Sequence, residues 1–148
     1  MRVVAIVQAR MGSSRLPGKV MLKLENHSIL EHIINFLKFS ELIDKIVIAT
    51  TTIPEDDVIV ELCNKINVNC FRGSSKDVLK RFYECAKLYD ADIIVRITAD
   101  DPLVDPFLVD DVIRQCKNTD CEYASNILNR THPLGYLVEA FRFSTLEK

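Results

Sequence analysis

The sequence predicts an α/β fold with a mostly parallel, doubly wound sheet and helices on both faces. Four short runs, 3–7, 45–49, 69–71 and 93–97, alternate with segments whose apolar residues recur at helical spacing, and β-branched residues are frequent in all of them except 69–71. The runs are almost continuously apolar, which is typical of strands buried on both faces. In sheets of this kind, ligands bind beyond the carboxyl ends of the strands.

Each predicted helix has a recognisable start. Ser28 begins the first, because a serine followed three residues later by glutamate forms a capping box. The second begins at about Pro54. The third runs over about residues 77–89 and buries Val78, Leu79 and Phe82. The fourth starts at Asp105, an N-cap that is followed by proline at the first helical position.

The 148 residues are the length of one ordinary domain. After residue 118 the helical pattern weakens. Residues 122–125 are compatible with a further strand, and residues 144–148 resemble the first turn of a helix with nothing after it. We therefore expect residues 1–148 to form a single domain that is incomplete at its C-terminal end.

Composition and charge exclude several classes of protein. The chain is 48% hydrophobic and has a net charge of −2, which excludes a disordered chain and gives no general attraction to nucleic acid or anionic lipid. The apolar N-terminal run is too short for a signal peptide or a membrane span, so we expect a cytoplasmic protein. The five cysteines contain no C-x-x-C motif, which favours core thiols over disulfides or a zinc site.

The loop after the first strand contains the cationic and hydroxyl side chains that a polyphosphate site needs. Arg10, Arg15 and Lys19 can neutralise phosphoryl oxygens, and Ser13 and Ser14 can donate hydrogen bonds to them. The loop fails the P-loop pattern at two defining positions and contains no dinucleotide-binding glycine motif, so phosphate binding must rely on side-chain cations more than on a helix N-terminus. The alternative is a solvated charged loop. Two glycines let the backbone approach a ligand closely: Gly12 and Gly18.

A second polar loop follows the fourth predicted strand. Asp100 is the candidate magnesium ligand, because magnesium is usually held by one or two carboxylates together with substrate phosphates. The neighbouring Asp101 precedes proline and is better explained by a turn. Arg96 lies within the apolar strand, where it is either structural or paired with a phosphate. Arg72 follows the third strand and can reach a ribose, a base or a phosphate.

Four motifs together resemble the cytidylyltransferase family: residues 8–19, 71–74, 96–102 and 123–126. The closest branch is the spore-coat polysaccharide type, which is related to the synthetases of CMP-3-deoxy-manno-octulosonate and CMP-acylneuraminate. Members of the family extend well past this length. Where spore-coat members carry an aspartate, this chain has Leu137.

The resemblance implies a three-layer nucleotide-diphosphosugar-transferase fold, CTP and Mg²⁺, and release of pyrophosphate. It places Arg10, Ser14, Arg15 and Lys19 on the triphosphate and Asp100 on magnesium. The backbone around Gln8 and Ala9 would read the base. The predicted nucleotide-binding set is completed by Gly12, Ser13, Arg72 and Ser74.

The leading hypothesis is a magnesium-dependent cytidylyltransferase that acts on a sugar, with a sugar acid as the favoured acceptor, in surface polysaccharide precursor synthesis. Its partners would be nucleotide and sugar substrates, and a homodimer is left open. Three alternatives remain. They are a nucleotidyltransferase that uses a sugar 1-phosphate, a truncated or non-catalytic nucleotide-binding module, and, more distantly, a glycosyltransferase.

Overall fold

The computed structural model describes residues 1–127 and 132–148. Within these described residues, eight strands and five α-helices follow one another, and two short 3₁₀ turns cover Lys19–Met21 and Pro54–Asp56. The elements are β1 (Val3–Gln8), β2 (Lys23–Leu24), β3 (His27–Ser28), α1 (Ile29–Leu37), β4 (Lys45–Thr51), α2 (Asp57–Lys65), β5 (Asn69–Gly73), α3 (Val78–Leu88), β6 (Ile93–Thr98), α4 (Pro106–Asn118), β7 (Tyr123–Ser125), β8 (Glu139–Arg142) and α5 (Phe143–Leu146).

Six strands form one mixed sheet in the order β5-β4-β1-β6-β8-β7. The four predicted strands, β1, β4, β5 and β6, are parallel to one another, which confirms the mostly parallel sheet. β8 runs antiparallel to β6, and β7 runs antiparallel to β8 at one edge. β2 and β3 form a small separate hairpin.

Helices cover both faces of the sheet, which confirms the three layers. Alternate residues of β1 enter two cores: Val3, Ala5 and Val7 pack with α1, α2 and α4, whereas Val4 and Ile6 pack with α3 and α5. This alternation follows from the two-residue period of a strand. In the described part of the chain, no helix is long and apolar enough to cross a membrane.

Three of the four predicted helix starts are confirmed by their capping contacts. The second α-helix begins at Asp57 rather than at Pro54, because residues 54–56 form a 3₁₀ turn, and its N-cap Asp56 makes no side-chain capping bond. Ser28 forms the full capping box with Glu31. The side chain of Asp77 accepts a hydrogen bond from the Lys80 amide, and that of Asp105 accepts one from the Phe107 amide. These side chains satisfy amide groups that the first helical turn leaves without partners.

The predicted buried stripe of α3 is wrong in its first turn. Phe82 is buried as expected, but Val78 and Leu79 are 38% and 64% exposed. Both residues line a shallow apolar groove with Tyr123 and Phe141 on the same side of the sheet. Helical spacing alone could not show that the sheet leaves this turn uncovered.

Candidate functional site

A polar pocket of about 430 Å³ opens at the carboxyl edge of β1 and β6. It brings together side chains from the first loop, from β6 and from the second loop. Seven residues that the sequence places in the site line it, so the predicted convergence of the two loops is observed. The lining residues are Gln8, Arg10, Ser13, Ser14, Arg15, Leu16, Lys19, Val20, Arg96, Thr98, Ala99 and Asp100.

The register of the central strands places the two loops side by side. Gln8 at the end of β1 is paired with Thr98 at the end of β6. The Ala99 amide then donates to the Gln8 carbonyl oxygen at 3.1 Å, and the Ala9 amide donates to the Ala49 carbonyl oxygen at 3.2 Å. The backbone groups predicted to read a base are therefore already hydrogen-bonded within the extended sheet.

The first loop folds back on itself around Met11. The Met11 carbonyl oxygen accepts hydrogen bonds from the amides of Ser13 at 2.9 Å and Gly18 at 2.8 Å. Gly18 has a φ of 72°, a left-handed conformation that favours glycine, and an added Cβ would lie 3.2 Å from the Met11 side chain. The turn brings Arg10, Arg15 and Lys19 to one compact loop.

None of these three loop cations forms an ion pair within the part of the chain that the structure describes. Arg10 and Arg15 are exposed, and Lys19 is half-buried. Three like charges in one short loop repel one another unless an anion lies among them. The electrostatics therefore favour a polyanionic ligand in the pocket.

The loop is anchored by Asp56, a buried residue that the sequence reasoning missed. Its Oδ1 accepts a hydrogen bond from the Met11 amide at 2.7 Å, and its Oδ2 accepts one from the Thr51 hydroxyl. The side chain is only 2% exposed. An acidic residue in a first helical turn is common on electrostatic grounds, so the sequence gives no signal that this one reaches across to the loop.

We expect Asp56→Asn to destabilise the fold and loosen the first loop. Asparagine keeps the shape but turns one acceptor into a donor, which leaves either the Met11 amide or the Thr51 hydroxyl without its acceptor. The loss of a buried hydrogen bond to a charged group predicts a decrease of about 2 kcal/mol in the free energy of unfolding. Urea denaturation measures this, with exposed Glu55→Gln as the matched control. Equal midpoints for the two variants would refute the anchoring role.

The second loop carries two adjacent carboxylates, of which only Asp100 is among the described lining residues of the pocket. Asp100 is exposed and lines the pocket, whereas Asp101 is half-buried and lies 3.5 Å from the Thr98 hydroxyl. Burial and the neighbouring Asp100 charge raise the pKa of Asp101, while the Thr98 hydrogen bond and Lys19 lower it. A divalent cation at Asp100 would relieve the repulsion between the two groups.

The described residues contain no cluster of three or more acidic, histidine or cysteine side chains that could hold a metal ion. A metal at Asp100 would therefore need other oxygen ligands. The phosphates of a bound nucleotide are suitable, because magnesium commonly combines one or two carboxylates with substrate phosphates and water. The residues present fit a metal that arrives with its nucleotide.

Four residues of the predicted nucleotide-binding set lie away from the described pocket lining. Arg72 donates to the carbonyl oxygens of Thr51 and Ile53 and pairs with Asp57 at 2.6 Å, which ties β5 to the start of α2. The other three residues are Ala9, Gly12 and Ser74. Ala9 is buried, Gly12 is exposed, and the Ser74 hydroxyl accepts a hydrogen bond from the Asp77 amide at 3.0 Å. Nucleotide contacts by these four residues stay predictions.

Three residues carry buried side-chain atoms without a hydrogen-bond partner in the described part of the chain: Gln8, Thr50 and Arg81. The Gln8 Oε1 atom finds no donor among the described residues although the side chain lines the pocket. Arg81 of α3 is 1% exposed and donates from Nη1 to the Ser74 carbonyl oxygen at 2.9 Å, but its Nε and Nη2 have no acceptor among the residues that the structure describes. Burial lowers the pKa of Arg81, Arg10 lowers it further and Asp56 raises it. Arg81 lies within an amphipathic helix and was not predicted from the sequence.

Comparison with known proteins identifies the family. The family model described as cytidylyltransferase matches residues 4–146, which is nearly the whole chain. The chain belongs to the cytidylyltransferase family. Among curated relatives of this cytidylyltransferase chain, the spore coat polysaccharide biosynthesis protein SpsF of Bacillus subtilis is 36% identical over 97% of the chain. The chain spans about 60% of the length of that relative.

Solved structures support the same family and its fold. A cytidylyltransferase from Leptospira borgpetersenii superposes with a TM-score of 0.94 at 39% identity, covering 99% of this chain and 63% of the other. A CMP:2-keto-3-deoxy-manno-octonic acid synthetase, solved in complex with CTP, has a TM-score of 0.80 at 16% identity, covering 99% of this chain and 76% of that one. The second likeness shows a shared fold.

Proposed function

We propose that this protein transfers a cytidylyl group from CTP to a sugar and releases pyrophosphate. The observation that carries the proposal is the pocket that joins three loop cations, none of them ion-paired with a described residue, to Asp100 at one edge of the sheet. Membership of the cytidylyltransferase family and the CTP-bound structural neighbour support CTP as the nucleotide.

In this proposal the first loop binds the triphosphate. Arg10, Arg15 and Lys19 neutralise its oxygens, and the hydroxyls of Ser13 and Ser14 donate hydrogen bonds to them. The acceptor oxygen attacks the α-phosphorus and forms a new P–O bond while the bond to the pyrophosphate oxygen breaks. Negative charge grows on the leaving oxygens, so the positioned cations stabilise the transition state more than the bound substrate.

Asp100 would hold Mg²⁺ in this site. When bound, the ion would polarise the phosphoryl oxygens and add positive charge beside the leaving group. The Asp100 carboxylate would hold that charge in the same pocket as the loop cations. The neighbouring Asp101, whose pKa is raised in the structure, would ionise more readily when a cation is present.

The buried Oε1 atom of Gln8 is an acceptor that needs a donor. The exocyclic amino group of cytosine supplies such a donor, and satisfying a buried polar atom favours the ligand that does so. We assign the base end of the nucleotide to the Gln8 side of the pocket on this ground.

A sugar acid is the proposed acceptor, and surface polysaccharide precursor synthesis is the proposed pathway context. The spore-coat relative and the resemblance to sugar-acid synthetases support both statements. We place the protein in the cytoplasm with these two substrates as its partners, and a homodimer stays an expectation.

A pyrophosphate-release screen tests the proposal. The 148-residue protein is incubated with Mg²⁺, each of the four nucleoside triphosphates, and 3-deoxy-manno-octulosonate, N-acetylneuraminate or glucose 1-phosphate. We expect release that depends on CTP and on one of the two sugar acids. Release with glucose 1-phosphate alone would show that the acceptor is a sugar 1-phosphate and not a sugar acid. CTP binding without release on any acceptor would reduce the function to nucleotide binding.

A further inference from the structure

Arg96 is a cation in the middle of a buried strand. Its neighbours along β6, Val95 and Ile97, are fully buried, and its own side chain is 33% exposed. A guanidinium loses hydration in such a place and needs fixed partners in return. The structure shows one of those partners and leaves room for another.

Glu139 and Tyr123 fix the direction of the Arg96 side chain. Arg96 lies opposite Glu139 in the β6-β8 pairing, and its Nη1 donates to the Glu139 Oε2 atom. The Tyr123 hydroxyl donates to the other oxygen of Glu139 at 2.7 Å. Burial raises the pKa of Tyr123 and the bond to Glu139 raises it further, so the hydroxyl keeps its proton at neutral pH.

The same guanidinium also lines the polar pocket. Arg96 borders both the site at the strand ends and the apolar groove, whereas Glu139 borders only the groove among the residues described. A guanidinium has five N–H donors, and within the described chain Glu139 is the one residue bonded to it. The ion pair therefore engages Nη1 and leaves the other guanidinium donors for the pocket.

We propose that Arg96 is a further anion-binding residue of the pocket and that Glu139 and Tyr123 are positioning residues that hold its guanidinium in place. The ligand is an oxyanion, because a planar guanidinium bonds carboxylate and phosphate oxygens with directed donors. Two sources carry this chemistry: the phosphates of CTP and the carboxylate of a sugar-acid acceptor. The inference rests on the proposed function for the identity of these ligands.

Two measurements on the 148-residue protein separate the sources. Calorimetry with CTP and Mg²⁺ in the absence of acceptor gives the CTP Kd, and pyrophosphate release with 3-deoxy-manno-octulosonate at saturating CTP gives the acceptor KM. For Arg96→Ala we expect a rise of about 10- to 100-fold in one of the two constants, as charge-assisted hydrogen bonds are lost. A rise in the CTP Kd assigns the phosphates. A rise in the acceptor KM alone assigns the carboxylate.

The positioning residues are tested with smaller changes. Tyr123→Phe removes one hydroxyl and should raise the same constant by about 2- to 10-fold. The fall in its melting temperature should be too small to account for this loss of affinity. Arg96→Lys keeps the charge but loses the planar donor set, so it should recover only part of the affinity. This variant and Tyr123→Phe keep the test valid if Arg96→Ala fails to fold. Arg114→Ala, on the outer helix α4, is the control.

If Arg96 had only a structural role, the melting temperature and the two constants would respond differently. Arg96→Ala would then lower the melting temperature while the folded variant kept both constants of the unsubstituted protein, and that result would overturn the inference. Failure of the proposed function is distinct, because the unsubstituted protein itself would then neither bind CTP nor release pyrophosphate.

Discussion

Replacing Lys19 or Arg15 with alanine is expected to reduce the rate of cytidylyl transfer by two or more orders of magnitude. Both side chains line the pocket, and neither forms an ion pair in the described part of the chain, so their charge is available to the triphosphate. Loss of one preorganised group that stabilises transition-state charge typically costs about 100- to 1,000-fold in turnover. Pyrophosphate release at saturating CTP measures the effect.

The controls for this prediction lie at the C-cap of α1 and on α4. Lys38→Ala and Arg114→Ala each remove an exposed cation at a position outside the described pocket lining. Both should keep the rate of the unsubstituted protein. That result would show that a change of one unit in net charge is not enough to lower the rate of cytidylyl transfer. If Lys19→Ala and Arg15→Ala also keep that rate, the first loop is not the triphosphate site.

For Asp100→Asn we expect loss of turnover together with loss of the magnesium dependence. The amide is a weaker ligand for a hard cation than the carboxylate, and no nearby cluster of ligands among the described residues replaces it. The rate should fall about 100-fold or more at a magnesium concentration that saturates the unsubstituted protein. A titration of the pyrophosphate-release rate with MgCl₂ measures both quantities.

Asp111→Asn is the matched control for that titration, because Asp111 is an exposed aspartate on α4 paired with Arg114. It should reproduce the titration of the unsubstituted protein. A half-saturating magnesium concentration for Asp100→Asn that equals the control value would remove Asp100 from the metal site.

The local signals of the sequence predicted most of the fold. Strands β1, β4 and β6 are short β-branched runs, and the caps Ser28, Asp77 and Asp105 act within their own helices, so both depend on neighbouring residues alone. The antiparallel placement of β8 between β6 and β7 depends on contacts between distant segments. No periodicity in a single segment encodes such a contact.

The same distinction between features set by strand topology and features set by contacts between distant segments applies to the candidate site. That Arg10, Lys19 and Asp100 share one pocket follows from the topology, because the carboxyl ends of neighbouring parallel strands meet at one edge. The roles of Asp56 and Arg81 could not be predicted, since each is defined by a partner from another element. Both residues look like ordinary charged positions of a helix surface until the chain is folded.

Calorimetric titration of the 148-residue protein with CTP in the presence of Mg²⁺ tests the central claim most directly. The account predicts binding at one site, and loss of that binding in the Arg15→Ala/Lys19→Ala double variant while Lys38→Ala binds as the unsubstituted protein does. Absence of CTP binding by the folded, unsubstituted protein, or equal binding by the double variant, would contradict the assignment of this pocket as a nucleotide site.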